Sequence, residues 1–298
     1  METRFLETLV AVVECGSFAE AARRLNLTAS AVAQRIQAIE AEIGVRLLTR
    51  FGRTVHPTNA AVGILERARS IQRDIRDLKS AAAGGILSGE LRLGVVPSML
   101  TGFLPDLLAR FSDNYPQIEL RILRGDSAAV YRDLMEQRTD AAITSEPPFA
   151  IPKTCEWSLL REEPYVVLVP IAIQGRDPLA ILRREPFIRL DRKLHGGQAI
   201  DRYLRKKRIN PIERFELDGL DAIAIMVDRG LGVSLLPDYA PPWPEGLTLR
   251  KLPIPDRSMV RRIGLLWIRA SLRIGLIQAF AEHAGQMTGS KGRRPQRR

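Results

Sequence analysis

Short runs near the start of the chain carry side chains suited to contacting another molecule rather than to catalysis. Thr28-Ala29-Ser30 and Ala33-Gln34-Arg35, with Gln37 just beyond, place methyl, hydroxyl and amide groups at helical spacing. An amide such as that of Gln34 can both donate to and accept from the N6/N7 edge of adenine, and the methyls of Ala29 and Ala33 can meet that of thymine. Arg50 and Arg53 suit phosphate oxygens, which are contacted without regard to base sequence. Taken singly, two arginines on a loop are better read as a solvated surface. Catalytic chemistry finds less support. His56, His195 and His283 are scattered, and no HExxH, CxxC, Walker or GxSxG pattern occurs. Cys15 falls on the apolar phase of a first helix, and Cys155 stands alone in a later segment. No cofactor and no metal are implied.

The elements that must position these groups are legible. Ser17-Phe18-Ala19-Glu20 is a capping box, with the Ser17 hydroxyl accepting a helix N–H. The helix it opens carries Ala21, Ala22 and Leu25, small enough for a second helix to approach. Asn26-Leu27 turn the chain, and Thr28 caps the next helix. That helix sets Val32, Ile36, Ile39 and Ile43 on one apolar stripe, leaving Ala29, Ser30, Ala33, Gln34 and Gln37 on the other face. Two helices joined so tightly describe a helix-turn-helix, whose second helix enters the major groove by its amino-terminal end. Leu47–Thr58 then reads as a two-stranded wing with a basic tip. Periodicity alone fits a purely structural helical pair as well.

Residues 4–80 resemble the winged helix-turn-helix of LysR-type transcriptional regulators. The matching stretches are Gly16-Ser17-Phe18-Ala19-Glu20-Ala21-Ala22-Arg23-Arg24-Leu25, Ser30-Ala31-Val32-Ala33-Gln34-Arg35-Ile36, Ile39-Glu40 and Gly44-Val45-Arg46-Leu47-Leu48, followed by Arg50, Arg53 and Thr58. The resemblance implies a bacterial regulator with a DNA reader followed by an effector sensor, bound to double-stranded DNA as a homodimer or homotetramer, with RNA polymerase as a further candidate partner. The family's recognition helix commonly begins Ser-Gln-Pro-Ala-Leu-Ser-Arg. Here the glutamine, proline, second serine and arginine positions hold Ala29, Ser30, Ala33 and Gln34, so the usual contacts do not transfer directly. Arg35 is a substitute for the missing arginine, although it is rotated about 100° from Gln34 on an ideal helix.

Thr58 is expected to cap a helix reaching about Ala83. Leu65, Ala68, Ile71, Ile75, Leu78 and Ala82 recur along it like a short coiled-coil seam, although packing within its own domain would give the same pattern. Ala83-Gly84-Gly85 reads as a hinge. Short β-rich runs follow at Leu91–Val96, Ile118–Leu123, Ala141–Thr144, Tyr165–Val169, Phe187–Leu190, Gly232–Leu236 and Ile263–Ile268. Their alternation with helical patterns argues for an α/β fold with mainly parallel sheets. The resemblance makes this region a two-lobed domain like that of periplasmic solute-binding proteins, with effector in the cleft between lobes. Helix starts at strand ends attract anions. The candidate effector-binding residues are therefore Pro97, Ser98 and Met99, then Ser127 and Thr144, with Arg189 and Asp218 in the second lobe. The domains expected are 1–58 (winged helix-turn-helix), 59–89 (linker and dimerisation helix), 90–287 (effector domain) and 288–298 (basic tail).

The 298 residues carry a formal net charge of +11. Residues 1–83 hold twelve basic and nine acidic side chains, and the last eleven residues hold five basic and none acidic. Bulk charge therefore does not mark the reader. No apolar run spans a bilayer, no signal sequence leads the chain, and two distant cysteines fit a reducing cytoplasm. The alternative reading is a cytoplasmic solute-binding receptor or enzyme whose helical head only oligomerises.

Overall fold

The computed structural model describes all residues except 52, 53, 83–86, 240–242, 245 and 288–298; of 76, 77 and 79–82 it describes the backbone alone. Arg53, the Gly84-Gly85 hinge and the basic tail thus lie outside the described residues, as do the side chains of Arg76, Asp77 and Ala82. The chain divides into two units, Met1–Gly89 and Glu90–Arg298.

In the first unit, α1 (Thr3–Cys15) stops at Gly16, which adopts φ +64°. Glycine takes this left-handed conformation without a Cβ penalty. Ser17 and Thr28 open α2 (Phe18–Arg24) and α3 (Ala29–Ile43), their hydroxyls accepting from the Glu20 and Ala31 amides at 3.5 and 3.2 Å. These are the caps that the sequence predicts. Val32, Ile36 and Ile39 are buried against α1 and α2, but Ile43, at the end of the expected stripe, is exposed. β1 (Leu48–Phe51) and β2 (Thr54–Pro57) pair antiparallel as the predicted wing, with Leu48 and Val55 turned into the core.

Thr58 opens α4 (Asn59–Ala82): its hydroxyl accepts from the Ala61 amide at 3.2 Å and donates to the Arg46 carbonyl at 2.9 Å. The expected coiled-coil seam is partly spent within this unit. Ala68 is buried in its core, with Leu65 and Ile71 packed against it, because α4 lies along α1. Val62 and Leu78 remain apolar and exposed, Leu78 by 71%.

The second unit has two lobes. The first contains β3 (Gly89–Val95), α5 (Pro97–Thr101), α6 (Leu104–Asn114), β4 (Ile118–Arg124), α7 (Ser127–Met135) and β5 (Ala141–Ser145). The 16-residue β6 (Cys155–Pro170) leaves it for the second lobe, which contains α8 (Pro178–Arg184), β7 (Pro186–Leu190), α9 (His195–Lys206), β8 (Ile212–Leu217), α10 (Leu220–Asp228), β9 (Ser234–Pro237) and β10 (Leu249–Pro253). β11 (Val260–Ile268) returns to the first lobe and leads into α11 (Ile274–Met287).

The large sheet runs β10-β6-β11-β5-β3-β4, with β9 also on β6. Up to Pro164, β6 pairs with β11; from Tyr165 onward it pairs with β9, and from Val166 with β10 as well. The expectation of mainly parallel sheets needs correcting. β3 with β5 and β7 with β8 are parallel, but β11 is antiparallel to both β5 and β6. Two strands that cross between lobes in opposite directions can pair only antiparallel. Each lobe buries its own core, around Leu93, Phe111, Ile143 and Phe280 in the first and around Val167, Phe187, Ile223 and Leu235 in the second. No helix among the described residues is long and apolar enough to cross a membrane.

Candidate nucleic-acid interface and effector cleft

At the start of α3, Thr28, Ala29, Ser30, Gln34 and Gln37 are exposed and Ala33 is half-buried. Steps of three and four residues put Ser30, Ala33, Gln34 and Gln37 on one face, away from the buried Val32–Ile36–Ile39 stripe. Ser17 is half-buried, its hydroxyl engaged as a cap. Arg35 does not join this group. Its Nη1 donates to the Thr8 hydroxyl at 3.3 Å, so the side chain runs toward α1 rather than to the exposed face. The rotation of one residue step along the helix, which the sequence already suggested, is the reason.

The wing is tied to α3 by Glu40, which the sequence reading includes only among the residues of the family resemblance. Glu40 Oε1 accepts from the amides of Leu47 and Leu48 at 2.7 and 3.1 Å, fixing where β1 begins. The exposed Arg50 guanidinium lies 5.0 Å from the Phe18 ring centroid, which directs it beside the start of α2. Phe51, on the opposite face of the hairpin, is exposed and meets His56 edge-on at 6.0 Å. Glu40→Ala strands two amides of buried residues, and we expect about 1–3 kcal/mol of lost stability. Glu40→Gln keeps an acceptor oxygen and should recover most of it. Denaturant titration of both variants checks this; equal midpoints for Glu40→Ala and the unsubstituted chain would refute the wing clamp.

Where the lobes meet, a cavity of about 260 Å³ opens. Ser145, Glu146 and Pro147 line it from the end of β5, and Tyr165 from β6. Arg261 and Arg262 on β11 form another wall, and His195, Gly196, Ala199 and Arg202 of α9 close it. Arg261 is held in this wall by an ion pair between the crossover strands. Arg261 and Glu163 are direct register partners, with Arg261 Nε donating to Glu163 Oε2 at 2.7 Å. Glu163 is 0% exposed and also accepts from Arg161 Nε at 3.1 Å. Arg262 donates twice to Glu146, at 2.9 and 3.1 Å.

None of the residues that the sequence singled out for effector binding lines this cavity. Ser98 comes nearest, its hydroxyl accepting from Arg261 Nη2 at 3.0 Å. It is not a cap: Pro97, which is exposed, occupies the first position of the short α5, so Ser98 falls inside its first turn. Met99 is core. Ser127 is half-buried and begins α7, whose amino terminus is capped by Asp126 Oδ1 on the Ala129 amide at 2.8 Å. Thr144 is buried on β5, and Asp218 is exposed beyond β8.

Arg189 is 3% exposed, with Nη1 on Asp201 and Nη2 on Glu213 at 2.5 Å. The hydrogen bond from Arg189 holds the Glu213 carboxyl below its usual range, despite partial burial. A guanidinium held by two carboxylates is engaged within the fold rather than turned to a ligand. Tyr165 enters the sequence reading only as the start of a β-rich run, and Arg202 and Arg261 not at all, since nothing local distinguishes them from ordinary strand and surface residues. Among the described residues no group of three or more His, Cys, Asp or Glu is placed to hold a metal.

Residues 3–62 match the family profile described as bacterial regulatory helix-turn-helix protein, lysR family, and residues 84–288 match that of the LysR substrate binding domain. The chain is 31% identical to the probable HTH-type transcriptional regulator LrrA of Synechococcus elongatus, over 93% of this chain and 94% of the relative. It is 30% identical to the HTH-type transcriptional regulator YnfL of Escherichia coli, over 90% and 92%. Among solved structures, a hydrogen-peroxide-bound OxyR mutant from Corynebacterium glutamicum is similar with TM-score 0.62 at 27% identity, covering 96% of this chain and 92% of that one. Full-length CbnR in complex with its target DNA reaches TM-score 0.67, covering 96% and 99%; at 22% identity this is a likeness of fold. With the two profiles together spanning most of its length, the chain belongs to the LysR family of transcriptional regulators.

Proposed function

We propose that residues 1–58 read operator DNA, that 59–89 link and dimerise the readers, that 90–287 bind a small effector in the interlobe cavity, and that 288–298 add nonspecific basic contacts. The observation that carries the DNA reading is the exposed Ser30, Ala33, Gln34 and Gln37 face of α3, beside a wing bearing Arg50. Ala29 and Thr28 stand at the tip that enters the major groove, and Ser17 opens the supporting helix. Arg53 is assigned the same phosphate role as Arg50. A two-fold dimer carrying this reader recognises two half-sites, and four copies recognise two such pairs.

Effector binding shifts the lobes about their two crossover strands and changes the spacing of paired readers, which alters contact with DNA or RNA polymerase. The protein acts in the cytoplasm and catalyses no reaction. The relatives named above are transcriptional regulators, which favours this reading over a receptor or enzyme with an oligomerising head.

Fluorescence anisotropy on a fragment from upstream of the gene tests the reader. Gln34→Ala should relax preference among base substitutions by about 1–3 kcal/mol at the position it reads. Arg50→Ala should weaken all fragments about equally and lower the slope of log affinity against log salt by about 0.9. The reverse pattern would refute these roles.

A further inference from the structure

We infer that Glu14 is a positioning residue, which fixes the angle at which α4 leaves the reader and so the separation of the two half-sites that a dimer recognises. The inference rests on the linking and dimerising role proposed for residues 59–89. The last turn of α1 is where the parts of the first unit meet. Glu14 Oε2 accepts from Arg24 Nη1 of the α2 helix at 2.8 Å, and Glu14 Oε1 accepts from Arg69 Nη2 of α4 at 3.3 Å. Two residues on, the Gly16 carbonyl accepts from the Val55 amide of the wing at 2.8 Å. One turn of helix thus holds the helix-turn-helix, the wing and the linker. Arg69 is also braced from its own helix by Glu66, at 3.6 Å.

Apolar packing by itself does not set this angle. Ala68 is buried in the core of the unit with Leu65 and Ile71 against it, which holds α4 to α1. Burial is non-directional, however, and singles out no one tilt. Charge-assisted hydrogen bonds are directional and do. The lever they act on is long. α4 has 24 residues and so spans about 36 Å, and the exposed Leu78 lies about 28 Å from its start. A tilt of about 5° moves the far end by about 3 Å, close to the rise of one base-pair step. A small change of angle is therefore as large as a change of operator spacing. Arg69, about 15 Å along the helix, is far enough out to resist such a tilt. The Glu14 side chain is 33% exposed and that of Arg69 29%, so the pair is screened less than one on an open surface.

The test is fluorescence anisotropy of the full chain on the upstream segment that it protects from hydroxyl-radical cleavage. Single base pairs are inserted or deleted at the centre of that segment, and one half of it is also titrated alone. The unsubstituted chain should bind the natural spacing best. Glu14→Ala and Arg69→Gln should each shrink the penalty for a one-base-pair change by about fivefold, while binding the isolated half within about twofold of the unsubstituted chain. Arg69→Lys keeps a cation facing Glu14 and should recover most of the penalty. Arg67→Gln, the same charge change at an exposed residue of α4, should leave the penalty within about twofold. The inference is overturned if either Glu14→Ala or Arg69→Gln keeps the full penalty. It is also overturned if Glu14→Ala weakens binding to the isolated half by about tenfold, which would make Glu14 a structural part of the reader. A flat spacing profile in the unsubstituted chain would overturn the linking role itself, and this inference with it.

Discussion

Replacing Asp140 by alanine should lower the stability of the second unit by about 3–5 kcal/mol, the cost of breaking a buried ion pair by removing one partner. Asp140 is 6% exposed at the entry to β5. Its Oδ2 accepts from the Arg92 amide at 2.8 Å and Arg92 Nε at 3.1 Å, and its Oδ1 from Arg92 Nη2 at 2.8 Å and Arg273 Nη1 at 3.1 Å. One carboxylate thus joins β3, β5 and the segment before α11. Arg92 Nη2 also donates to the Gln137 carbonyl at 3.0 Å, where the backbone turns through φ +57°. Only a planar fork reaches such a set, so Arg92→Lys should lose most of the same stabilisation. Urea unfolding followed by circular dichroism should show a lower midpoint at unchanged slope. A midpoint shift equivalent to less than about 1 kcal/mol would show that the cluster is a bystander.

The second large effect is at Glu163. Glu163→Ala should cost a similar 3–5 kcal/mol, because Arg261 would lose the acidic partner facing it across the crossover strands. Urea unfolding of this variant checks it: a midpoint shift equivalent to less than about 1 kcal/mol would show that the pair adds nothing across the crossover strands.

What could be read from the sequence was what local chemistry determines. Ser17 and Thr28 announce helix starts because a hydroxyl cap needs only the next three residues. Leu47–Thr58 announces a wing because its turn and strands are contiguous. β8 was missed: Ile212–Leu217 is exposed almost throughout, so it lacks the alternation that betrays a half-buried strand. After Val96 the chain forms two helices, α5 and α6, rather than one, since Pro97 and Pro105 each start a new first turn.

The cavity was illegible for a different reason. Ser145, Tyr165, His195 and Arg261 come from four elements spread over more than a third of the chain, and they meet only through the antiparallel register of β6 and β11. Helix-start chemistry could not reveal that Asp126 caps α7 or that Arg261, 163 residues along the chain from Ser98, holds its hydroxyl.

The central claim is that the exposed face of α3 gives this chain a sequence-specific reader. The direct measurement is an anisotropy titration of the full chain on a fragment from upstream of its own gene and on a shuffled fragment of equal length, across a series of salt concentrations. Affinity for the upstream fragment should exceed that for the shuffled one by about 10³ or more at physiological salt, with log affinity falling linearly with log salt on both. Equal affinity for both fragments at every salt concentration would contradict it.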